Sequence, residues 1–397
     1  MATALFAAVA CGGDEEPLVI GFLGPYTGGL AELAPPIENG AQLAVAHINE
    51  AGGVNGQPIR LVTGDTQLDP THSVAEAGRL ANVEGVSAIV GPVSSLISLP
   101  LGEAFAASAQ VPVISPSAAS IAFANVDDND FLFRTSLSLE SEGKIMAIDV
   151  VERLGMDDNV GVLYRNDAWG DDFATSFEAN YDGDAILVSY ELDATSFEAE
   201  LREAARDGAR SLLIPGFAET DTIVREALAN DLFDRFYFTG GNRSDELPEE
   251  VGIENVEGAY GTAPGVPATE EGTFTADYLE MFGTIPPGVA PAYVRGSYDA
   301  VVAIALAAQA AGSNDSVAIR DQLRAIGNSP GLRVIPSIES IRAGLEALSD
   351  GEAVDFNGAV TPLDWDDRGD VSSGFINIWQ YQDGTAVDLQ SIPVSAN

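Results

Sequence analysis

The sequence predicts an α/β protein made of two doubly wound lobes with similar wiring. Three observations predict it. Apolar runs that read as strands alternate with amphipathic helical stretches from Leu18 to Ile114, the pattern of a parallel sheet with helices on both faces. A second alternation of the same kind runs from Val160 to Thr239. Most strand runs stop at turns rich in Gly, Pro, Ser or Asn. Right-handed crossovers gather such turns at the carboxyl edge of a sheet, where ligands of open α/β sheets bind.

In the first alternation, Leu18–Leu23 is an apolar strand broken at Gly24-Pro25. A helix follows with Ile37, Ala41, Val45 and Ile48 on one face and stops at Ala51-Gly52-Gly53. Ile59–Val62 reads as the second strand and Ser73–Asn82 as the second helix. The stretch Val86–Ala124 then says most about binding. Ser87–Val90 is a strand that stops at Gly91-Pro92, with the hydroxyl-bearing turn Val93-Ser94-Ser95 after it. Leu99–Ala107 is a short helix, Val111–Ile114 the next strand, and Ser115-Pro116-Ser117-Ala118-Ala119-Ser120 the next turn. These two turns offer hydroxyls, backbone N–H groups and small side chains, and no acid or base. They suit gripping a small polar or anionic group rather than breaking bonds. Ser94 and Ser95 are also of the type that caps a helix.

Arg134-Thr135-Ser136 closes this lobe, and a helix over Ser141–Leu154 leads into the next. There, strands are expected at Val160–Tyr164, Ala185–Glu191, Ser211–Ile214 and Phe236–Thr239, with helices at Phe173–Asn180, Phe197–Asp207 and Thr222–Asn230. Their carboxyl-edge turns hold Trp169, Phe217 and Asn242. Val256–Thr262 reads as a strand leading back to the first lobe, and Phe274–Phe282 as a helix. Tyr293–Gly312 is a core helix rather than a membrane span, because Arg295 and Asp299 interrupt it. Val317–Ile326 is a further helix. Residues 327–356 give one helix near Ser337–Leu348, and Phe375–Gln382 alternates as a strand. The expected organisation is a signal remnant and tether over 1–16, a first lobe from 17–135 with 260–360, and a second from 136–259 with 361–397.

The net charge is −43, from 61 acidic and 18 basic residues, and Lys144 is the only lysine. The acids are spread along the chain. Such a surface repels phosphate backbones and anionic lipid, so nucleic acid is excluded as a partner. It reads as a solvation strategy for high salt, where the Debye length falls to roughly 3 Å at about 1 M. One cysteine, Cys11, excludes an internal disulfide and a cysteine metal site. His47 and His72 lie at no metal-ligand spacing, and Arg368 interrupts the Asp364–Asp370 acids where a calcium loop needs oxygen. No cofactor is implied. Small apolar residues precede Cys11, and Gly12-Gly13-Asp14-Glu15-Glu16 follows it as a flexible tether.

The chain after residue 17 resembles the branched-chain amino-acid-binding family, type I periplasmic solute-binding proteins of ABC importers. The matching segments come in order: GFLGPYTGGLAELAPPIENGAQLAVAHINEAGGVNG, DTQLDP, AIVGPVSS, VISPSAAS, FRTS, GVLYRNDAWGDDFATSF, YDAVVAIALAAQAAG and LDWDDRGDVSSGF. The resemblance implies two Rossmann-like lobes joined by three crossovers, with a ligand held in the cleft by hinge closure. It implies a periplasmic or cell-surface location, a permease of the cytoplasmic membrane as partner, and a monomer. The context of Cys11 then resembles a lipoprotein signal, with Cys11 lipidated, although Ala8 stands where Leu is usual. The carry-over assigns Ser94 and Ser95 to the ligand carboxylate and Ser117, Ala118 and Ala119 to the segment that holds both ligand ends. It assigns Trp169 and Phe217 to aromatic cover from the second lobe. Ala119 replaces the family's Thr, and Asn242 stands where amino-acid binders place an acid against the ligand ammonium. A buried ammonium without that charge costs several kcal/mol. The expected ligand is therefore a small carboxylate, amide or other weakly charged solute rather than a plain α-amino acid, unless Asp245 or Glu246 swings in to replace the acid.

No G-x-S-x-G elbow, phosphate-binding Gly-rich loop or G-x-G-x-x-G after a strand is present, so the chain is read as not an enzyme. A ligand-sensing module for a signalling partner is the alternative to a transport receptor. The charge leads to a first prediction. The thermal unfolding midpoint rises when NaCl is raised from about 0.1 M to about 1 M, as screening relaxes the self-repulsion; calorimetric scans across salt check it.

Overall fold

Two sheets, described by a computed structural model over residues 16–150, 159–285, 290–328 and 330–395, carry the architecture. Cys11 and the end of the helix expected over Ser141–Leu154 lie outside these residues. The first sheet has the order β2-β1-β3-β4-β5 with every pairing parallel. Its strands are β1 (Val19–Gly24), β2 (Arg60–Asp65), β3 (Ala88–Val90), β4 (Val113–Ser115) and β5 (Leu132–Arg134). All six residues of β1 are buried, as a parallel strand covered on both faces requires. Helices α1 (Ala34–Ala51), α2 (Pro70–Asn82) and α3 (Ser95–Leu101) connect the first strands. Asp69 caps α2 by accepting from His72 N at 2.6 Å, with Pro70 in the first turn. The helix expected over Leu99–Ala107 starts earlier, at Ser95, so the serine turn is the helix entrance itself.

After β5 the chain crosses into α4 (Leu139–Ile145) and the second lobe. There β6 (Asn159–Arg165), α5 (Ala168–Asn180), β7 (Asp184–Tyr190), α6 (Glu198–Ala204), β8 (Ser211–Ile214), α7 (Thr220–Ala229) and β9 (Arg235–Phe238) alternate. The strand β10 (Tyr260–Pro264) pairs parallel with β9, so it belongs to the second sheet, and the chain returns to the first lobe after Pro264. Helices α8 (Phe274–Phe282), α9 (Ala290–Ala311), α10 (Ser316–Gly327) and α11 (Ile338–Ser349) follow. Within them, β11 (Leu332–Val334) and β12 (Val354–Phe356) form a small parallel pair. The third crossing leads to β13 (Ser373–Gln382) and β14 (Thr385–Ser395), an antiparallel ribbon added to β10. The second sheet thus has the order β14-β13-β10-β9-β8-β6-β7 and is mixed rather than wholly parallel. The strand β14 carries no apolar alternation because most of its residues are exposed or half-exposed.

The first-lobe core runs along α9, where Val294, Tyr298 and Ala300–Ala308 are buried against α1 and the sheet. The three crossings meet around a small, mostly apolar cavity lined by Thr135, Leu137, Pro264, Gly265, Val360 and Phe375. Two buried carboxyls hold this region. Asp299 of α9 accepts from Ala359 N at 2.6 Å and Val360 N at 2.9 Å. Gly358 is required there, because a Cβ would lie 2.3 Å from Asp299 Oδ2. Glu142 of α4 accepts from the Thr262 hydroxyl at 3.2 Å and from the Gly240 amide.

Burial pushes both acids up to about 7. They stay protonated in the fold at pH values where the unfolded chain has lost the proton. Their contribution is full below the unfolded pKa near 4 and is lost as pH rises through about 7. Replacing Glu142 with Gln, its neutral isostere, is expected to lessen the decline in unfolding free energy between about pH 5 and pH 8. Urea unfolding of both proteins across that range measures the difference.

Candidate functional site

The carboxyl edge of the first sheet faces that of the second across a cleft. At the end of β3, Gly91 has φ +114°, and a Cβ there would lie 2.3 Å from the Leu23 carbonyl. Only glycine makes that turn, and it delivers Val93, Ser94 and Ser95 to the cleft wall. Ser94 sits at the N-cap of α3 in extended backbone, yet its side chain makes no cap hydrogen bond. Ser95, the first helical residue, is buried, and its Oγ accepts from Ala119 N at 3.2 Å and Ser120 N at 3.1 Å. A hydroxyl has two acceptor lone pairs and one proton to give. With both lone pairs engaged, Ser95 is left as a donor.

Ser117 also lines the cleft, and its buried Oγ has no hydrogen-bond partner in the protein. Leu30, Leu33, Leu68 and Leu96 make the apolar part of the first-lobe wall. The second lobe contributes Arg165, Asp167, Trp169 and Phe217. Asp167 caps α5 by accepting from Gly170 N at 2.9 Å, which places Trp169 in the first turn. The Trp169 and Phe217 rings lie 5.1 Å apart at 47°. The Arg165 guanidinium lies 4.8 Å over the Phe217 ring, donates to Asp167 Oδ2 through Nε and Nη2 at 3.1 Å each, and pairs with Glu219 Oε1 at 3.5 Å. Tyr293 of α9 closes the floor. Burial, with Glu142 nearby, raises its phenol, so it remains a neutral hydroxyl.

A family model described as periplasmic binding protein matches residues 17–343, most of the chain. The chain belongs to the periplasmic binding protein family. It is 26% identical over 363 residues to an amino acid binding protein of Pseudomonas aeruginosa, covering 89% of this chain and 91% of that one. It is 28% identical over 332 residues to a leucine-, isoleucine-, valine-, threonine- and alanine-binding protein of the same organism, covering 81% and 87%. Among solved structures it resembles a branched-chain amino acid transporter substrate-binding protein of Streptococcus pneumoniae in complex with isoleucine. The TM-score is 0.75, identity 24%, and coverage 96% of this chain and 100% of that one. It also resembles an ABC-transporter solute-binding protein of R. palustris in complex with benzoate, with TM-score 0.73, identity 17%, and coverage 96% and 98%. These likenesses carry the two-lobed fold.

Within this periplasmic binding protein, the structure brings together Ser94, Ser95, Ser117, Trp169 and Phe217 on one cleft. Ala118, Ala119 and Asn242 are placed differently. Ala118 and Ala119 point into core clusters, and the Ala118 carbonyl accepts from Ser136 Oγ at 3.0 Å and Arg134 at 3.2 Å. Asn242 is buried and turned inward. Its amide donates to the Ile214 carbonyl at 2.6 Å and to Thr220 Oγ1 at 3.1 Å, and its Oδ1 accepts from Thr239 N at 2.7 Å. Asp245 does not swing into the cleft; it accepts from Ala386 N at the sheet edge. Arg165 and Asp167 are the charged cleft residues that sequence reasoning missed, beside the apolar Leu30, Leu68 and Leu96 and the phenol of Tyr293. Their one signal is an Arg-x-Asp spacing at the end of an apolar strand. Among the described residues no group of three or more His, Cys, Asp or Glu side chains is placed to hold a metal.

The placement of Asn242 gives a prediction. Asn242→Asp loses two donors and sets a charge beside the Ile214 carbonyl. It destabilises the fold by about 1–3 kcal/mol, read by urea unfolding.

Proposed function

We propose that this chain is the extracytoplasmic receptor of an ABC importer for a small organic acid with an apolar body and no free ammonium. The lobes close over the solute, and the closed form is presented to a membrane permease. The observation that carries the ligand class is the state of the polar groups in the cleft. Ser95, with its lone pairs filled, and Ser117, with no partner, are donors awaiting an acceptor. A carboxylate supplies one.

The acid side of the cleft supports the same reading. Asp167 is the one carboxylate on the wall among the described residues, and its oxygens are taken by Arg165 and the Gly170 amide. Asn242 is spent inside the second lobe. An ammonium group entering this cleft would meet, among the described wall residues, only a carboxylate already paired with a guanidinium. Leu33, Leu68, Trp169 and Phe217 would enclose the apolar part. The relatives' names and the isoleucine and benzoate complexes are compatible with a small amphipathic solute. The small-residue run before Cys11 supports a lipid anchor to the membrane at a periplasmic or cell-surface location, and the spread of acidic charge supports a high-salt setting.

Calorimetric titration in high salt with leucine, isoleucine, valine, benzoate and other aliphatic and aromatic carboxylates tests the ligand class. Binding is expected for a carboxylate lacking an ammonium group, and tight binding of leucine, isoleucine or valine would overturn the reading. For the acid that binds, Ser117→Ala raises Kd about tenfold without lowering the unfolding midpoint, since its hydroxyl has no partner to lose. Trp169→Ala weakens binding by about 1–3 kcal/mol through lost stacking area.

A further inference from the structure

The lobes touch directly beside the cleft, through a residue outside its wall. Asp172 lies on α5, one helical turn beyond Trp169. Its Oδ2 accepts from the Ser120 hydroxyl at 2.5 Å and from the Ile121 amide at 2.7 Å. Both donors belong to the first lobe and follow directly on the Ser117–Ala119 turn. The Ser120 amide in turn donates to Ser95 Oγ at 3.1 Å. A continuous path therefore runs from a second-lobe helix, through Asp172 and Ser120, to the hydroxyl that faces the ligand.

With a net charge of −43, two lobes brought edge to edge repel one another. At this contact a carboxylate is held by an O–H and an N–H donor, a charge-assisted arrangement stronger than a neutral pair. Because the 117–121 segment serves both the cleft and the contact, fixing it from one side lowers the ordering cost on the other, and the coupling is reciprocal.

We propose that Asp172 is a closure latch: a positioning residue that holds the lobes together through Ser120 and Ile121 and couples closure to occupancy at Ser95. The coupling rests on reading this cleft as the ligand site. The latch itself is made of protein groups only, so its formation needs no atom of the ligand.

The test needs no ligand, which keeps it separate from the calorimetric panel. Spin labels on Glu32→Cys and Leu192→Cys, in the full chain with Cys11→Ser, report the interlobe distance by pulsed dipolar spectroscopy. Glu32 and Leu192 lie on opposite lobes at exposed positions beyond the carboxyl edges. In the ligand-free protein, Asp172→Ala is expected to lower the ratio of short to long distances about tenfold. Asp172→Asn, which keeps one acceptor, shifts it in the same direction by less. Asp171→Ala, at the exposed neighbouring position, leaves it unchanged. A distance distribution for Asp172→Ala that matches the parent, or an equal shift from Asp171→Ala, overturns the latch. Absence of carboxylate binding in the panel, with the distance shift intact, overturns only the ligand reading.

Discussion

The buried guanidinium of Arg134 is the contact on which the cleft depends. It sits at the end of β5 and donates to the Ala118 carbonyl at 3.2 Å, the Ser120 carbonyl at 2.8 Å and Asp370 Oδ2 at 2.8 Å. Its charge lies 4.7 Å over the Phe123 ring. A cation out of water is tolerated only when dipoles and a counter-charge surround it. Here those partners come from the cleft turn and from the loop of the third crossing. The Arg134 carbonyl also accepts from Trp365 Nε1 at 2.8 Å. The turn that presents Ser117 is thus tied to the crossings between the lobes by two side chains, Arg134 and Ser136, which fix its backbone.

That anchoring explains how small residues make a site. Ser95 can turn its proton towards the cleft because Ala119 N and Ser120 N hold its oxygen, and those amides are in place because Arg134 and Ser136 hold the carbonyls beside them. The second lobe works differently. Its wall is aromatic, and the Arg165–Asp167–Glu219 group sets the Phe217 ring against Trp169 rather than offering a free charge. One lobe supplies directional donors and the other supplies area.

How much of this was legible in the sequence depends on the residue. The serine turns were legible because Gly-Pro and Ser-Pro punctuation stops two apolar strands at the same edge, and topology brings those edges together. Trp169 and Phe217 were legible as aromatics in carboxyl-edge turns. Ala118, Ala119 and Asn242 rest on the family resemblance, and a matched position does not say which way a side chain or carbonyl turns. Asn242 follows two glycines, and its amide found backbone partners at Ile214 and Thr239 inside the lobe. Arg165 is not legible, because a cation ending an apolar strand reads as a surface residue and only the fold sets Asp167 and Phe217 around it. The antiparallel ribbon β13–β14 was half legible, since β14 is too exposed to alternate.

The sequence by itself determined the two alternating strand–helix runs, the hydroxyl-rich edge and the acidic surface. These follow from periodicity, turn chemistry and charge, which are local properties. Only the tertiary structure decided which hydroxyls remain free, that Asn242 faces inward, that Arg165 is paired within the cleft, and that Asp172 bridges the lobes. Hydrogen-bond satisfaction is the physical reason. Each polar group's role depends on which partners reach it first, and those partners lie far away along the chain.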